Sequence, residues 1–311
     1  MIPVLILAAG RGARLAELGL AWRKALIPVG AASLLELHLA TFAAEGARRF
    51  ILVVDPGGAE IAAAARAVTD SLGVTLELLV QPEPRGIGNA TALAEPLLCG
   101  SPFVLVLGDT YYEPEDLQPA LKDVARRRRA AVLSVRFVAD EQRIRRECTI
   151  AVDERGMVRS IVEKPDKILS PLKPCGVYFF GPEIFDALRE TPPSPLRGEV
   201  ELTDAIQRLI DHTGNVGSRR TLARDLNVTY PADVLWANKM WLGKHDLAYY
   251  LHPAAEVGRD VVASDSVVAR DAIVGDRAVL DSVVVFPGAV VESEARLSDT
   301  LVVPDNGVLR L

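Results

Sequence analysis

Two glycines and three cationic side chains stand close together near the start of the chain. Gly10 and Gly12 allow a tight turn and leave backbone N–H groups uncovered, so that an anion can approach them. Arg11, Arg14 and, a short way downstream, Lys24 add positive charge around the same loop. This combination predicts a phosphate-binding loop, and a strand–turn–helix connection with surface arginines is the alternative.

The spacing of this loop excludes two well-known phosphate motifs. The dinucleotide-binding fingerprint needs a third small residue three positions after the second glycine, and that position is Leu15. A Walker A loop needs Gly-Lys-Ser/Thr, which does not follow. The apolar run Val4–Leu7 before the loop is typical of a strand buried on both faces.

A carboxylate ends another apolar run, V-L-V-L-G-D over Val104–Asp109. A carboxylate at the end of a buried strand is a hard oxygen ligand on a rigid support, which suits Mg²⁺ with its other positions left to water and phosphate. An aspartate in an ordinary strand-ending turn is the alternative. Together with the phosphate loop, Asp109 is the best candidate metal ligand.

An amide side chain begins the loop Q-P-E-P-R-G-I-G-N over Gln81–Asn89. Two prolines stiffen this loop, while Gly86 and Gly88 allow close approach to the backbone. A glutamine carries both a donor and an acceptor, so Gln81 is suited to recognising the edge of a nucleobase. A helix-capping loop is the alternative.

Three further polar positions lie in the second half of the chain. Lys164, between Glu163 and Pro165, could neutralise a phosphate or form an ordinary surface Glu–Lys pair. Glu199 and Glu201 alternate on one strand-like face, so one of them could simply be solvated. Thr203 or Asp204 could then cap a helix running to about residue 211.

The elements that must position these residues alternate between strands and helices up to about residue 138. Strands are predicted at Val4–Leu7, Phe50–Val54, Thr75–Val80, Phe103–Leu107 and Ala131–Val138, and helices at Leu34–Glu45, Glu60–Leu72, Asn89–Leu98 and Glu115–Arg127. Such alternation indicates a mostly parallel sheet with helices on both faces, and ligands bind beyond the C-terminal ends of its strands. We therefore expect the glycine loop and Asp109 to share one crevice.

Composition and charge narrow the class of protein. The chain has 311 residues and a formal charge of −6, with 35 basic and 41 acidic residues. Its length suits one large and one small domain, and its mild acidity argues against nucleic acid as a partner. Three isolated cysteines favour a reducing compartment, and the apolar N-terminal run is too short to span a bilayer. We expect a cytoplasmic protein without a membrane partner.

A different periodicity begins after residue 257. Apolar residues recur every six positions at Val262, Val268, Val274, Leu280 and Phe286, and after a slip of one residue at Val291, Leu297, Val303 and Leu309. A six-residue period predicts a hexapeptide β-helix of two to three coils, with an antiparallel meander as the alternative. Stacked coils leave an open end, so we expect packing against the catalytic domain or another subunit, that is, a homo-oligomer.

The glycine loop with its lysine resembles the signature of the sugar-1-phosphate nucleotidyltransferases, the nucleotide-sugar pyrophosphorylases. The resemblance extends over nearly the whole chain. It implies an α/β fold with a Rossmann-like doubly wound mixed sheet at 1–245 and a small C-terminal left-handed β-helix at 253–311. It also implies Mg²⁺ as cofactor, and an NTP and a sugar 1-phosphate as substrates.

The resemblance also assigns roles to individual residues. It places the nucleotide on the loop and the base-recognition segment, the sugar phosphate on Lys164, and the sugar beside Gly176 and Glu201. The second metal ligand falls on Asn227, counted back from Pro231, with Asp225 as its rival. The implied nucleotide-binding residues are Leu7, Ala8, Ala9, Gly10, Gly12, Arg14, Lys24, Gln81 and Gly86, and the implied catalytic residues are Arg14, Lys24, Asp109 and Lys164.

The implied reaction joins an NTP and a sugar 1-phosphate into an NDP-sugar and releases pyrophosphate. The stretch after Gly86 looks most like the uridylyl and thymidylyl members, which favours UTP or dTTP with glucose 1-phosphate. A guanylyltransferase of the GDP-mannose type and a catalytically silent regulatory relative are the alternatives. Cytidylyl transfer to a non-sugar phosphate such as phosphocholine is a third.

Overall fold

The computed structural model describes residues 2–10, 12–194, 198–304 and 307–311. Arg11 of the predicted phosphate-binding loop lies outside these ranges. The strands are β1 (Val4–Leu7), β2 (Pro28–Val29), β3 (Ala32–Ser33), β4 (Arg49–Val54), β5 (Thr75–Val80), β6 (Phe103–Leu107), β7 (Thr110–Pro114), β8 (Ala131–Phe137), β9 (Cys148–Val152), β10 (Val158–Glu163), β11 (Leu172–Phe180), β12 (Val216–Arg219), β13 (Leu222–Asn227), β14 (Tyr249–Leu251), β15 (Glu256–Val257), β16 (Val262–Ser264), β17 (Ser266–Val268), β18 (Ile273–Val274), β19 (Val279–Val285), β20 (Val290–Val291), β21 (Arg296–Val303) and β22 (Gly307–Arg310). The helices are α1 (Ala13–Glu17), α2 (Leu34–Ala44), α3 (Ala59–Leu72), α4 (Ile87–Ala92), α5 (Glu95–Leu98), α6 (Gln118–Ala125), α7 (Glu141–Arg146), α8 (Ile184–Glu190), α9 (Leu202–Thr213) and α10 (Pro231–Lys244).

The chain folds into two compact units, each assembled from separate segments. Unit 1 comprises Met1–Gly10, His38–Gly108 and Tyr112–Asp225. Unit 2 comprises Arg11–Leu37, Asp109–Tyr111 and Leu226–Leu311. The division into domains at 1–245 and 253–311 therefore differs from the grouping by contacts, and it stays a prediction.

A seven-stranded sheet forms the centre of unit 1, in the order β12-β8-β11-β6-β1-β4-β5. The strands β4 and β6 flank β1 in parallel, so the chain winds outward from β1 in both directions. β11 runs antiparallel to both β6 and β8, which makes the sheet mixed. Leu7 and Leu107 are the last residues of neighbouring parallel strands, at the point where the winding reverses, and ligands bind at such points in open α/β sheets.

The sequence predicted five of the seven strands of this sheet closely, β11 and β12 being the exceptions, and some of the helices less well. Helix Asn89–Leu98 is in fact two helices, α4 and α5, because Pro96 lacks the N–H that would continue the first helix. Helix α9 begins at Leu202 with Glu201 at the N-cap, so the predicted cap at Thr203 or Asp204 is wrong.

Unit 2 has a core of its own, which joins the start of the chain to its end. Leu15 of α1 and Leu20 shortly after it belong to the same buried cluster as Trp241 of α10 and Val268 and Val284 of the C-terminal strands. The ring of Trp22 also meets Phe286 edge-on, with ring centroids 5.0 Å apart. The segment that carries Lys24 is therefore supported by the last fifth of the chain.

The C-terminal strands stack in parallel, with paired positions 17 residues apart. The buried apolar positions Val268, Val274 and Leu280 fit the predicted six-residue series, but the next paired position is Val285, five residues on. One step in three is thus five residues long, and the prediction of an inward Val262 is wrong because that residue is 60% exposed. At the end of the series, β22 pairs antiparallel with β21, so Leu309 closes the stack and does not continue it.

Across the ranges described, no helix combines the length and the apolar character needed to cross a membrane.

Candidate functional site

The phosphate-binding loop predicted from the sequence begins where β1 ends. The N–H of Ala8 donates to the carbonyl of Val53 at 2.8 Å, which extends the pairing with β4 by one residue beyond Leu7. Ala9 and Gly10 follow, and among the described residues no atom beyond Gly10 and its chain neighbours lies within 4 Å of a Cβ built on Gly10. The backbone at Gly10 is therefore open to a ligand.

Gly12 needs to be glycine for two reasons. Its φ of +70° lies in the left-handed region, where a side chain is strained. A Cβ at this position would also stand 3.2 Å from Cγ of Lys24. The second glycine of the loop thus lets the stem of Lys24 pass close to the backbone.

Lys24 and Asp109, 85 residues apart in the sequence, form an ion pair in unit 2. The Nζ atom of Lys24 lies 3.1 Å from Oδ2 of Asp109, and the two side chains are 15% and 35% exposed. The turn before Asp109 is tight, because a Cβ on Gly108 would stand 2.6 Å from the carbonyl oxygen of Leu7. The predicted cation and the predicted metal ligand are therefore in contact.

The segment around Asn227 also reaches Asp109. The N–H of Val228 donates to the backbone carbonyl of Asp109 at 3.0 Å, directly after Asn227 ends β13. The side chain of Asp233 accepts from the N–H groups of Thr229 at 2.8 Å and Tyr230 at 2.7 Å. The exposed Asn227 side chain is thus carried on a stretch fixed at both ends.

Sequence reasoning missed the contact that Arg14 makes. The guanidinium carbon of Arg14 lies 5.6 Å from the ring centroid of Tyr230, which is a cation–π distance. Tyr230 occupies the N-cap of α10 and forms a capping box with Asp233. An aromatic residue in the segment before that helix was the signal in the sequence.

Asp225 is engaged in a buried ionic network in unit 1. Its Oδ1 accepts from Nη1 of Arg136 at 2.6 Å and its Oδ2 from Nζ of Lys173 at 2.7 Å, and its side chain is 1% exposed. Burial raises the pKa of Asp225, but the charges of Lys173, Arg143 and Arg136 outweigh it and hold the pKa below its ordinary value. Both oxygens are already bonded to cations, which disfavours Asp225 as the metal ligand.

The amide of Gln81 has a fixed orientation in unit 1. Its Nε2 donates to the carbonyl of Gly86 at 3.1 Å and to Oδ1 of Asn89 at 3.0 Å. The carbonyl oxygen of Gly86 can only accept a hydrogen bond, so the end of the Gln81 amide that faces it must be the nitrogen. Both hydrogens are used within the loop, and a ligand would therefore meet the oxygen of this amide.

The glycines of this loop lie against the segment that leads into α9. A Cβ on Gly86 would stand 2.8 Å from the carbonyl oxygen of Val200, and one on Gly88 would stand 2.6 Å from the same atom. The N–H of Gly88 donates to that carbonyl at 2.9 Å. This contact brings Glu199 and Glu201, on either side of Val200, to the loop Gln81–Asn89.

Lys164 has an unusual backbone conformation. Its φ is +43°, although it is not glycine and precedes Pro165, a position that favours extended backbone. Its N–H donates to the carbonyl of Glu147 at 2.8 Å, and its side chain is exposed. A strained residue in this position is consistent with a functional role.

Gly176 lies at an irregularity of β11 between Pro174 and Tyr178. Its φ is +74°, and a Cβ would stand 2.6 Å from the hydroxyl oxygen of Tyr112. That hydroxyl lies 3.0 Å from the carbonyl of Gly176 and 3.1 Å from the carbonyl of Leu107. Tyr112 is a supporting residue that the sequence analysis missed.

The donor set available for a metal is small. In the part of the chain that the structure describes, no three or more histidine, cysteine or acidic residues are grouped so that they could hold a metal ion. Mg²⁺ commonly uses only one or two protein carboxylates, with water and substrate phosphates as its other ligands. The partly exposed carboxylate of Asp109 and the amide of Asn227 therefore fit Mg²⁺ and do not fit an ion that needs an all-protein cage.

The predicted site residues divide between the units by their expected role. Gln81, Gly86, Lys164, Gly176 and Glu201, expected at the base and the sugar, lie in unit 1. Most of those expected at the phosphates and the metal lie in unit 2, namely Gly12, Arg14, Lys24, Asp109 and Asn227, whereas Gly10 and the rival ligand Asp225 lie in unit 1.

Known proteins resemble this chain in sequence and fold. The low-salt glycan biosynthesis nucleotidyltransferase Agl11 of Haloferax volcanii is 28% identical over 238 residues, which cover 76% of this chain and 65% of that protein. Glucose-1-phosphate thymidylyltransferase of Streptomyces antibioticus is 34% identical over 221 residues, which cover 70% of this chain and 60% of that protein. This chain thus spans less than two thirds of the length of either relative.

A solved structure of UDP-glucose pyrophosphorylase complexed with UDP-glucose shares the fold. It superposes with a TM-score of 0.68 over 78% of this chain and 100% of that chain, at 20% sequence identity. The family model described as Nucleotidyl transferase matches residues 3–236, about three quarters of the chain. With the glycine loop, Lys24 and Asp109 placed as described, the chain belongs to the nucleotidyl transferase family.

Proposed function

We propose that this protein transfers a nucleotidyl group from an NTP to a sugar 1-phosphate, giving an NDP-sugar and pyrophosphate. The observation that carries the proposal is the ion pair between Lys24 and Asp109 beside the left-handed turn at Gly12. It combines a cation, an open glycine turn and a carboxylate that follows a buried strand. The thymidylyltransferase and the UDP-glucose complex among the similar proteins favour dTTP or UTP with glucose 1-phosphate.

In the proposed reaction, a phosphate oxygen of the sugar 1-phosphate attacks the α-phosphorus of the NTP. The bond from that phosphorus to the β-phosphate oxygen breaks, and pyrophosphate leaves with the electron pair. The sugar phosphate is an anionic nucleophile at neutral pH, so no general base is needed. Catalysis then depends on positioning and on neutralising charge.

The cations and open amides have separate proposed roles. Arg14 and the N–H groups of Gly10 and Gly12 would take up charge on the departing pyrophosphate. Lys24 would lie near the α-phosphate, and Lys164 would hold the sugar phosphate. The backbone of Leu7, Ala8 and Ala9 would line the nucleotide, because it follows β1 at the end where ligands bind.

Asp109 and Asn227 would hold Mg²⁺ through one carboxylate and one amide oxygen. Bound there, the ion would neutralise charge on the phosphates. In this structure Nζ of Lys24 pairs with Asp109, so the cation lies where the ion would bind. Asp225 is less suitable, because a further cation would meet Lys173 and Arg136 on its two oxygens.

The orientation of Gln81 supports selection of the base. Only its oxygen is left for a ligand, so it would accept from the N3–H of uracil or thymine, or from the N1–H of guanine. Cytosine and adenine present an acceptor at the corresponding ring nitrogen and would meet the Gln81 oxygen unfavourably. This favours UTP or dTTP and disfavours cytidylyl transfer, while a guanylyltransferase remains the alternative.

The sugar would lie against Gly176, whose left-handed conformation allows close approach to β11. Glu201 would accept hydrogen bonds from the sugar hydroxyls, because its segment is held against the base-recognition loop. The free thiols of Cys99, Cys148 and Cys175 support a cytoplasmic location. The parallel stack after residue 249 supports a left-handed hexapeptide β-helix, which would pack against another copy of the chain in a homo-oligomer.

The experiment is a pyrophosphate-release assay with UTP, dTTP, GTP, CTP and ATP against glucose 1-phosphate and mannose 1-phosphate, with Mg²⁺ and with EDTA. We expect Mg²⁺-dependent turnover with UTP or dTTP and glucose 1-phosphate. Asp109→Ala should lower kcat by about two to three powers of ten or more, because it removes charge stabilisation in the transition state. The matched control is Asp70→Ala, which removes an exposed carboxylate on α3.

Each outcome bears on one part of the proposal. Near wild-type turnover of Asp109→Ala would contradict the metal assignment. CTP or ATP turned over as well as UTP would contradict the role of Gln81. Binding of nucleotide without pyrophosphate release from any pair would favour the silent regulatory relative.

A further inference from the structure

A buried lysine joins two ion pairs in unit 1 that would each be balanced without it. Asp225 is paired with Arg136 at 2.6 Å, and Glu147 with Arg143 at 3.0 Å. Lys173 lies between them, with Nζ 2.7 Å from Oδ2 of Asp225 and in contact with Oε2 of Glu147. The cluster therefore has three cations and two carboxylates.

The excess charge makes a purely stabilising role for Lys173 hard to support. Its side chain is only 3% exposed, and removing an ammonium group from water is costly even when it is paired. An apolar residue of similar length would leave two neutral pairs in place. Arg143 of α7 also donates to the carbonyl of Asp225 at 3.3 Å, so Asp225 and Glu147 are linked without Lys173. What Lys173 adds is a direct tie from β11 to both carboxylates.

The Glu147 end of this link reaches the proposed sugar-phosphate residue. The carbonyl of Glu147 accepts the N–H of Lys164 at 2.8 Å, at the residue held in the left-handed region. Two residues away, Arg145 donates to the carbonyl of Asp166, so the loop after Lys164 is attached to the same segment. The strain at Lys164 persists only if its surroundings hold it.

On β11, Lys173 lies close in sequence to Gly176, the proposed sugar contact. Lys173 and Gly176 are three residues apart on β11, and the register of β11 against β8 shifts between Pro174 and Tyr178, around Gly176. Lys173 itself is paired in register with Arg136 of β8, one pair before that shift. Its side chain therefore ties the regular part of β11 to the segment that carries Lys164.

We propose that Lys173 is a positioning residue, which holds the Glu147–Lys164 contact against β11 and so presents Lys164 to the phosphate of the sugar 1-phosphate. The kinetic consequences rest on the proposed function, whereas the conformational ones do not. Lys173 touches neither substrate in this scheme. It acts through Glu147 on the backbone of Lys164.

The first test measures backbone protection and needs no substrate. In Lys173→Met, hydrogen exchange of the Lys164 amide should accelerate about tenfold relative to wild type, because its bond to Glu147 opens more often. Peptides that cover Gln81–Asn89 should be unchanged. The control is Arg219→Met, which breaks the ion pair with Asp123 at 2.7 Å elsewhere in unit 1.

The second test measures steady-state kinetics of the folded variants. Lys173→Met should raise the KM for the sugar 1-phosphate about tenfold and leave the KM for the NTP within about twofold of wild type. In a Lys164→Ala background the same substitution should have no further effect on the KM for the sugar 1-phosphate, because it acts through that residue. A residue with a merely structural role would change both KM values or neither.

The outcomes separate this proposal from the proposed function. A wild-type protein without pyrophosphate release would contradict the function, while altered exchange at Lys164 would still support the positioning role. Unchanged exchange at Lys164 in a folded Lys173→Met, or additive effects with Lys164→Ala, would overturn it. If Lys173→Met does not fold, Glu147→Gln keeps the backbone carbonyl but weakens the link, and the same readouts then decide.

Discussion

Whether a polar side chain of this protein is suited to bind a metal ion depends on the groups that already bond to it. Asp225 and Asn227 are two positions apart, and the sequence offered both as metal ligands. Asp225 has the stronger ligand chemistry, but its oxygens are bonded to Lys173 and Arg136. Asn227 is exposed and lies beside a residue bonded to Asp109. The charge around a side chain, and not its type alone, decides between them.

The three cysteines give a prediction at the same scale. Burial raises the pKa of the Cys148 and Cys175 thiols, whereas Cys99 is exposed on the surface of unit 1. The thiolate is the reactive form, so only one thiol should react rapidly with a disulfide reagent in the folded protein at pH 8. Unfolding should make all three thiols react rapidly.

Cys99→Ser is the control for this measurement, since it should remove the fast phase and leave the other two thiols protected. Two or more thiols reacting rapidly in the folded wild type would contradict the burial of Cys148 and Cys175.

At the scale of elements, register decides which face of a strand is buried. Val262 and Val268 are both in the six-residue series, yet the first is exposed and the second is fully buried. The inward position before Val268 is Ala263, five residues earlier. Ala263 pairs in register with Leu280, which in turn pairs with Leu297. A shift by one residue moves a side chain to the opposite face of a strand.

These two valines form a matched pair for a stability measurement. Val268→Ala should lower the free energy of unfolding by about 2 kcal/mol, because it removes buried methyl groups and leaves a cavity. Val262→Ala should change it by less than about 0.5 kcal/mol, as for most exposed positions. Urea unfolding monitored by circular dichroism would measure both, and equal effects would contradict the register described.

At the scale of the whole molecule, the order of segments in the chain differs from their grouping in space. Three separate segments of the chain form unit 2, and each of them contains one group of proposed phosphate or metal residues. Lys24 lies in the first segment, Asp109 in the second and Asn227 in the third. The same unit is completed by the C-terminal strands, which share a core with α10 and with Leu15.

This shared core predicts that the C-terminal strands are required by the residues near the start of the chain. A chain ending at His252 would lose Val268, Val284 and Phe286, and would expose the face of α10 that packs on them. We expect a lower melting temperature, an altered oligomeric state and a loss of pyrophosphate release. Calorimetry, light scattering and the assay above would measure these.

Val262→Ala in the full-length chain is the control, because it alters the same strands without touching the core. A truncated protein with unchanged melting temperature, oligomeric state and activity would show that the last segment is independent of the site.

Local patterns in the sequence determined five strands of the sheet in unit 1, the glycine turn after β1, and the family to which the chain belongs. These features depend on residues close together in the chain, where apolar runs, glycines and prolines act directly on the backbone. Only the tertiary structure decided that Lys24 meets Asp109, that Gln81 presents its oxygen, and that Lys173 links Asp225 to Glu147. The Lys24 and Lys173 contacts join residues far apart in sequence, and the Gln81 contacts depend on how its own loop folds back on itself. In each case the partners are selected by packing and charge in three dimensions, which no local pattern encodes.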